Sequence, residues 1–358
     1  MLYRETGQFK TSYAADQALF PIAQDRIGVL LVLAFAFFVI PFIASEYWFQ
    51  VILIPFLVFA LAAIGLNILT GYCGQVSLGT GGFMAVGAYA SYKLATGFPD
   101  MPLLLVILFS GGITAAVGIF FGLPSLRIKG FYLAVATLAS QFFLLWMFNK
   151  FGWFVNYSPS GSIAFPPKEV FGVLVTSANA EPVSRYLITL CIVVVLALAA
   201  KNLVRGPMGR TWMAIRDMDI AAEIIGIKPL QTKLLAFAVS SFYVGVAGAM
   251  FLCFWLGTAE TEAFDILNIS FPVLFMIIIG GLGSILGSFL GSAFVVLMPI
   301  LLTNVFVAGL GMQAVTAKHI EFIVFGAMII FFLIVEPHGL ARLWQIVKEK
   351  LRLWPFPY

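Results

Sequence analysis

An all-α, polytopic membrane fold of about ten transmembrane helices is predicted by three observations. Hydrophobic residues make up 62% of the 358-residue chain, and the mean hydropathy is +1.05. Charged residues are only 10%, too few to cover the outside of a soluble body of this size. Apolar runs follow one another with short polar joints, each near the ~20 residues that a helix needs to cross a hydrocarbon core of about 30 Å. A membrane barrel is excluded, because its strands are shorter and alternate apolar with polar residues.

Residues 1–26 are polar and mixed, with Asp16, Gln17, Gln24 and Asp25 ahead of any apolar run. A cleaved signal peptide has the opposite order, a basic patch and then an apolar core. A cytoplasmic N-terminal tail is expected there. A membrane domain over 27–340 and a cytoplasmic C-terminal tail over 341–358 complete the layout. The expected spans are 27–45, 49–72, 76–96, 103–123, 130–148, 186–203, 234–257, 266 to the glycines at 280–283, 285–305 and 319–335. The third is rich in Gly and Ala, and with its SLGTGGFMAVGAYA run it is expected to be either a full span or a broken, re-entrant helix lined by protein or a water cavity.

Ten spans place both termini on one side. With the N-terminus inside, the inner face holds fifteen of the twenty basic residues: Arg4, Lys10, Arg26, Arg127, Lys129, Lys201, Arg205, Arg210, Arg216, Lys228, Lys233, Arg342, Lys348, Lys350 and Arg352. The outer face holds Lys93, Lys150, Lys168, Arg185 and Lys318. This asymmetry follows the positive-inside rule. It makes the polar loop at about 149–185 outer and the charged loop at about 204–233 cytoplasmic. The outer loop carries Tyr157, Pro159, Pro166, Pro167, Asn179 and Pro182.

The charged loop contains RTWMAIRDMDIAAEIIG at 210–226. Trp212, Ile215, Met218, Ala222 and Ile225 recur at helical spacing and predict one apolar stripe, with Arg216, Asp219 and Glu223 on the other face. Gly209 precedes the helix, and Gly226 fits a C-cap at positive φ. An amphipathic helix lying on lipid headgroups has the same pattern. Three acidic residues in seven, Asp217, Asp219 and Glu223, oppose that reading on anionic lipid.

AIGLNILTGYCGQVSLGTGGFMAVGAYA, at 63–90, clusters glycines with Asn67, Thr70, Gln75, Ser77 and Thr80. Small residues allow close helix approach and polar ones bond across a bundle. Gly74 and Gly79 are therefore packing candidates, and Asn67, Thr70, Gln75 and Ser77 candidates for a translocation pathway. In IIIGGLGSILGSFLGSAF, at 277–294, Gly283, Gly287 and Gly291 recur every four residues and predict a helix-packing face.

Some chemistries lack their residues. The sequence has no GxxxxGK[ST] loop, and hence no P-loop nucleotide site. Its histidines are His319 and His338, and no triad, HExxH or paired carboxylate stands out. Cys73, Cys191 and Cys253 form no CxxC or Cys/His cluster, so neither a disulfide framework nor a metal site is expected. The net charge of +4 reflects the inner-face bias and implies no nucleic acid. No series of Asp, Glu or His crosses the expected spans. Glu321 and His319 stand at one end of the last, and Glu336 and His338 at the other. An ion-coupled carrier places such groups near the midplane.

Residues 216–250 closely resemble the cytoplasmic coupling loop and following span of branched-chain amino acid ABC transporter permeases. Ala221, Ala222 and Gly226 match the EAA-x-x-x-G loop of ABC importer permeases, with Ile220 where that pattern has Glu. Residues 63–90 resemble the family's GLNLLxGYxGQxSLGxxxFxxxGAY signature, residues 280–291 its GGxGSxxGxxxG segment, and Pro337, Gly339 and Leu340 its P-x-G-L ending. The resemblance spans about 63–340. It implies a permease subunit of an ATP-driven importer in the bacterial inner membrane, with Arg216, Asp217, Ala221, Ala222, Glu223 and Gly226 docking on a separate ATPase subunit. It further implies two ATPase subunits carrying the ATP and Mg2+, a second homologous permease and a periplasmic solute-binding protein. One stretch departs: members often carry TGG-x-x-G in the outer loop, where this chain has only Ser160, Gly161 and Ser162 as a core. The cargo therefore stays open between branched-chain or related amino acids and urea or short-chain amides. A stand-alone secondary carrier or channel is the alternative of another class, and a membrane enzyme lacks a candidate catalytic set.

Overall fold

The computed structural model of the chain describes residues 11–12, 19–20, 23–126, 132–170, 172–176, 180–335 and 339–353. Arg4, Lys10, Asp16, Gln17, Arg127, Lys129, Asn179, Glu336, Pro337 and His338 lie outside them, as do the side chains of Lys318, Glu321 and Arg352.

Helices make up most of the described chain. They are α1 (Gln24–Ile43), α2 (Trp48–Tyr72), α3 (Thr80–Gly97), α4 (Leu103–Ser125), α5 (Tyr132–Lys150) and α6 (Pro182–Arg205). Then come α7 (Pro207–Asp217), α8 (Asp219–Ile224), α9 (Pro229–Leu256), α10 (Ile266–Gly280), α11 (Ile285–Val307), α12 (Ala314–Val335) and α13 (Gly339–Leu353). Seven of the described helices are long and apolar enough to cross a membrane: α1, α2, α4, α5, α6, α9 and α11. The other three expected spans are helical too. However, α10 and the apolar part of α12, Phe322–Phe332, are shorter, and α3 is diluted by glycines and hydroxyl residues.

Two expected boundaries are corrected. The third segment is not helical from residue 76: α3 starts at Thr80, and 74–79 run as irregular backbone. Such backbone survives inside a bundle only when its polar groups find partners. Leu78 N–H donates to Thr137 Oγ1 at 3.0 Å, and Gly81 N–H to Ser270 Oγ at 2.8 Å. Ser270 Oγ in turn donates to Gln141 Oε1 at 2.7 Å, and Gln141 Nε2 to the Phe264 carbonyl at 3.3 Å. The expected C-terminal tail is largely the helix α13.

α2 and α9 form the centre. The best apolar window of α2 is 83% buried, whereas that of α1 is 0% buried, so α1 lies at the periphery. α9 packs against α4, α3 and α2, and α10 against α11. Lipid is as apolar as leucine, so close backbone approach, not apolar burial, must hold such helices together. A Cβ on Gly87 would sit 2.0 Å from the Gly245 carbonyl oxygen, and one on Gly248 2.0 Å from that of Met84. This α3–α9 seam was not read from the sequence.

The expected glycine face at 283, 287 and 291 is also corrected. Gly283 lies in the turn before α11, at φ +74. Its place in the seam is taken by Gly280 of α10: a Cβ there would meet the Gly287 oxygen at 2.0 Å, and one on Gly291 the Met276 oxygen at 1.8 Å. We expect Gly291→Ala to push α10 and α11 apart, costing about 1–3 kcal/mol. Gly326→Ala on α12, where nothing lies within 4 Å, should stay within about 0.5 kcal/mol of the parent. Thermal midpoints of the two variants in detergent check this; equal midpoints would sink it.

The end of α6 at Pro182 carries a folded cap. β1 (Ile163–Ala164) pairs with β4 (Thr258–Ala259), and β2 (Glu169–Val170) with β3 (Val173–Leu174). The Lys168 ammonium donates to the Met101 carbonyl at 3.2 Å, and Arg185 Nε to the Val175 carbonyl at 3.0 Å. α7 and α8 stand at the other end of α6.

Candidate functional site

α6 turns into α7 through an extended Gly206 and Pro207 at the first helical position, where its missing N–H costs nothing. Gly209 is required next, since a Cβ would lie 1.8 Å from the Val204 oxygen. α7 buries Trp212 and Ile215. The helix expected to continue to Gly226 breaks at Met218, whose φ of −160 and ψ of 97 are extended. Asp219 then opens α8, its carboxylate favourably placed at a helix N-terminus. It also pairs with Lys233 of α9 at 3.6 Å.

Gly226 caps α8 as expected, at φ +94. Its N–H donates to the Glu223 carbonyl at 3.0 Å, and that of Ile227 to the Ala222 carbonyl at 3.0 Å, the paired bonds of a Schellman turn. A Cβ on Gly226 would meet nothing within 4 Å. The cost of Gly226→Ala is therefore conformational, about 1–2 kcal/mol, and should appear as faster amide hydrogen exchange confined to 221–227. Unchanged exchange there would count against the cap.

The break at Met218 splits the expected apolar stripe. Trp212, Ile215 and Ala222 face inward, while Met218 and Ile225 are 64% and 75% exposed. Ile220 and Ile224 join them at 68% and 81%. Ala221, Glu223 and Gly226 are also exposed, but Ala222 is buried and takes no part in that surface. α8 thus presents an apolar tip of four large side chains, of which Ile220 and Ile224 were not singled out as a surface by the sequence pattern.

Arg216, whose side chain is 37% exposed, also reaches back to the bundle. Its Nη1 donates to the Gly71 carbonyl at 3.0 Å, and its Nε to Asp217 Oδ1 at 2.9 Å. Its stem covers Gly74, where a Cβ would lie 2.9 Å from Arg216 Cγ, and its Nη1 is 3.3 Å from the Cβ position of Gly283. Gly74, at φ +71, is accordingly a turn residue packed on Arg216. A Cβ on Gly79 would lie 2.6 Å from the Thr137 oxygen. One arginine side chain therefore joins α7 to the end of α2 through its guanidinium and packs on Gly74 through its stem.

Asn67 completes this junction one turn earlier. Its Nδ2 donates to the Ser284 carbonyl and to Ser288 Oγ, each at 2.9 Å, with the Gly281 carbonyl at 3.5 Å. Its Oδ1 accepts from Gly283 N–H at 2.8 Å. Thr70 Oγ1 donates to the Gln75 carbonyl at 3.1 Å, Gln75 Nε2 to the Cys73 carbonyl at 3.4 Å, and Ser77 Oγ accepts from Gly79 N–H at 3.4 Å. Of the four pathway candidates, Asn67 bonds across to residues 281–288, whereas Thr70, Gln75 and Ser77 bond within residues 70–79. Burial pushes the Cys73 thiol up to about 12, against a smaller opposing pull from the Lys233 charge, so it packs as a neutral group. Ser284, Ser288 and Gln141 were missed. Each is an isolated polar residue in or beside an apolar run, a recognisable signal that does not name its partner.

These features define a multi-pass helical membrane protein that holds a short helix pair against the bundle and exposes its apolar tip. The family model described as the branched-chain amino acid transport system permease component matches residues 49–333, and the chain belongs to that family. It is 30% identical over 248 residues to the high-affinity branched-chain amino acid transport system permease protein LivM of Salmonella typhimurium, covering 64% of this chain and 57% of that protein. Against the LivM protein of Escherichia coli it is 30% identical over 275 residues, covering 71% and 63%. Against the probable branched-chain amino acid transport permease protein LivM of Methanocaldococcus jannaschii it is 25% identical over 247 residues, covering 66% and 68%. The chain thus spans about three fifths of the length of the two bacterial relatives. No solved structure matches it.

Proposed function

We propose that this chain is the permease subunit of an ATP-binding cassette importer for branched-chain or related amino acids, and that α8 is its coupling helix. The observation that carries this reading is the exposed tip of Met218, Ile220, Ile224 and Ile225, on a helix pair tied through Arg216 to the end of a central span. Apolar side chains at the end of a membrane bundle are costly in water and suit a protein groove. Asp217, Ala221, Glu223 and Gly226 border the tip in this docking surface. Closure of an ATPase subunit would push α8 as a rigid body, and Arg216 would pass that movement to Gly71, Gly74 and the Asn67 junction.

Ten helices then cross a bacterial inner membrane, with both chain ends and the α7–α8 pair in the cytoplasm and the β-strand cap outside. ATP and Mg2+ belong to two partner ATPases, a second homologous permease completes the pathway, and a solute-binding protein delivers cargo. The names of the relatives favour branched-chain amino acids over urea or short-chain amides. Reconstitution of these partners in proteoliposomes tests this. ATP-dependent uptake of leucine is expected. Uptake of urea but not leucine would overturn the cargo. Uptake driven by an ion gradient without ATP would overturn the transporter class.

A further inference from the structure

We infer that α13 is a membrane-surface helix, whose apolar face lies in the headgroup boundary of the leaflet and whose basic residues engage anionic phospholipid. Leu340, Trp344, Val347 and Leu351 recur at intervals that place them on one face of a helix. Leu343 borders them. Lys348 and Lys350 flank this face on either side, and Arg342, Gln345 and Glu349 occupy the opposite one. Residues 339–353 carry four basic residues and one acid. Leu343, Trp344, Val347 and Leu351 are all exposed, so the described residues leave this part of the apolar face uncovered. An apolar face with flanking lysines and an excess of positive charge matches an interfacial lipid helix.

The depth of the helix supports lipid over a protein partner. Gly339, at φ +67, sits against the backbone of Gly281 and Ile279, and Leu340 packs on the core. Eight residues on, Lys348 Nζ meets Asp25 Oδ1 at 2.8 Å. Asp25 lies in the first turn of α1, the peripheral helix whose apolar window is unburied within the chain. The middle of α13 is therefore at the level where a lipid-facing span begins. Lys201, in the last turns of α6, is within electrostatic reach of both members of that pair and of Arg205. These cations form a basic collar at the depth of the phosphates, where each is favoured by about fivefold on an anionic surface.

The test uses the full chain in nanodiscs, with Cys191→Ser to remove the exposed thiol; Cys73 and Cys253 are buried. Single cysteines from 342 to 351 carry a spin label, and collisions with oxygen and with a water-soluble nickel complex are compared. In discs containing phosphatidylglycerol, labels at 344, 347 and 351 should favour oxygen several-fold over those at 345 and 349. Pure phosphatidylcholine, or Lys350→Gln on the flank of the apolar face, should weaken that contrast. Equal water exposure at all positions would overturn the inference. So would protection of 344, 347 and 351 that arises only when ATPase subunits are added, or a contrast indifferent to lipid charge. Elution and thermal midpoint of each labelled chain confirm that it is folded.

Discussion

Replacing Ile220 by aspartate together with Ile224 by glutamate should abolish co-purification of the ATPase subunits and leave the permease itself intact. Both side chains are largely exposed in this chain, at 68% and 81%, so the bundle loses little by their replacement, within about 0.5 kcal/mol per site. In the proposed complex they would sit desolvated in a groove. Apolar anchors at such centres are worth about 2 kcal/mol or more each, or roughly 30-fold in affinity. Two buried, unpaired carboxylates add a desolvation cost to that loss. ATP-driven uptake should fall to background while thermal midpoint and elution profile match the parent. Asp100→Asn, exposed beside the β-strand cap at the other end of the bundle, is the control and should behave nearly as the parent. Retention of both ATPase binding and uptake by the double variant would remove α8 from the docking surface.

Asn67→Leu carries the other large effect, on the junction behind that surface. The amide is almost fully buried, at 1% exposure, and it serves Gly283 N–H, the Ser284 carbonyl and Ser288 Oγ at once. Leucine keeps the branched skeleton, with more bulk, and removes every bond. The groups left behind have no route to water, and each unsatisfied one costs about 1–3 kcal/mol. In membranes some partners are recovered elsewhere, at about 0.6 kcal/mol per bond on average, so a loss near ~3 kcal/mol is the expected total. Asn67→Asp separates bonding from size. It keeps an acceptor for Gly283 but turns an oxygen toward carbonyls at 2.9 and 3.5 Å. Both variants should lower the thermal midpoint and uncouple ATP hydrolysis from uptake, even where the ATPases still co-purify. A parent-like midpoint in both would mean that Asn67 holds nothing together.

Much of the fold was legible because a bilayer imposes its own length scale on the chain. Every expected span contains a helix near its predicted position, and Gly226 announces its cap, since helix ends and glycine conformation are local matters. The errors fall where a distant residue decides. Residues 76–79 carry helix-compatible side chains, yet Thr137 supplies the partner that lets their backbone stay irregular. Gly283 keeps the four-residue spacing of Gly287 and Gly291, but the turn at 281–284 is held by Asn67, more than two hundred positions away. Arg216 belongs to a charged pattern that reads as outward-facing. The Gly71 carbonyl, at the C-terminal end of α2, draws it inward because the last carbonyls of a helix lack partners in their own helix.

The sequence by itself determined that this is a helical membrane protein, where its apolar helices fall, and that one loop is charged and helical. Those properties follow from runs of neighbouring residues and the fixed thickness of lipid. Only the tertiary structure decided which polar groups are bound within the bundle and which face a partner. α7 and α8 have one amphipathic pattern between them. The break at Met218 sends Arg216 into the junction and leaves Ile220, Ile224 and Ile225 outside. Periodicity along a helix says which residues share a face, while the direction that face takes depends on contacts with segments far away in the chain.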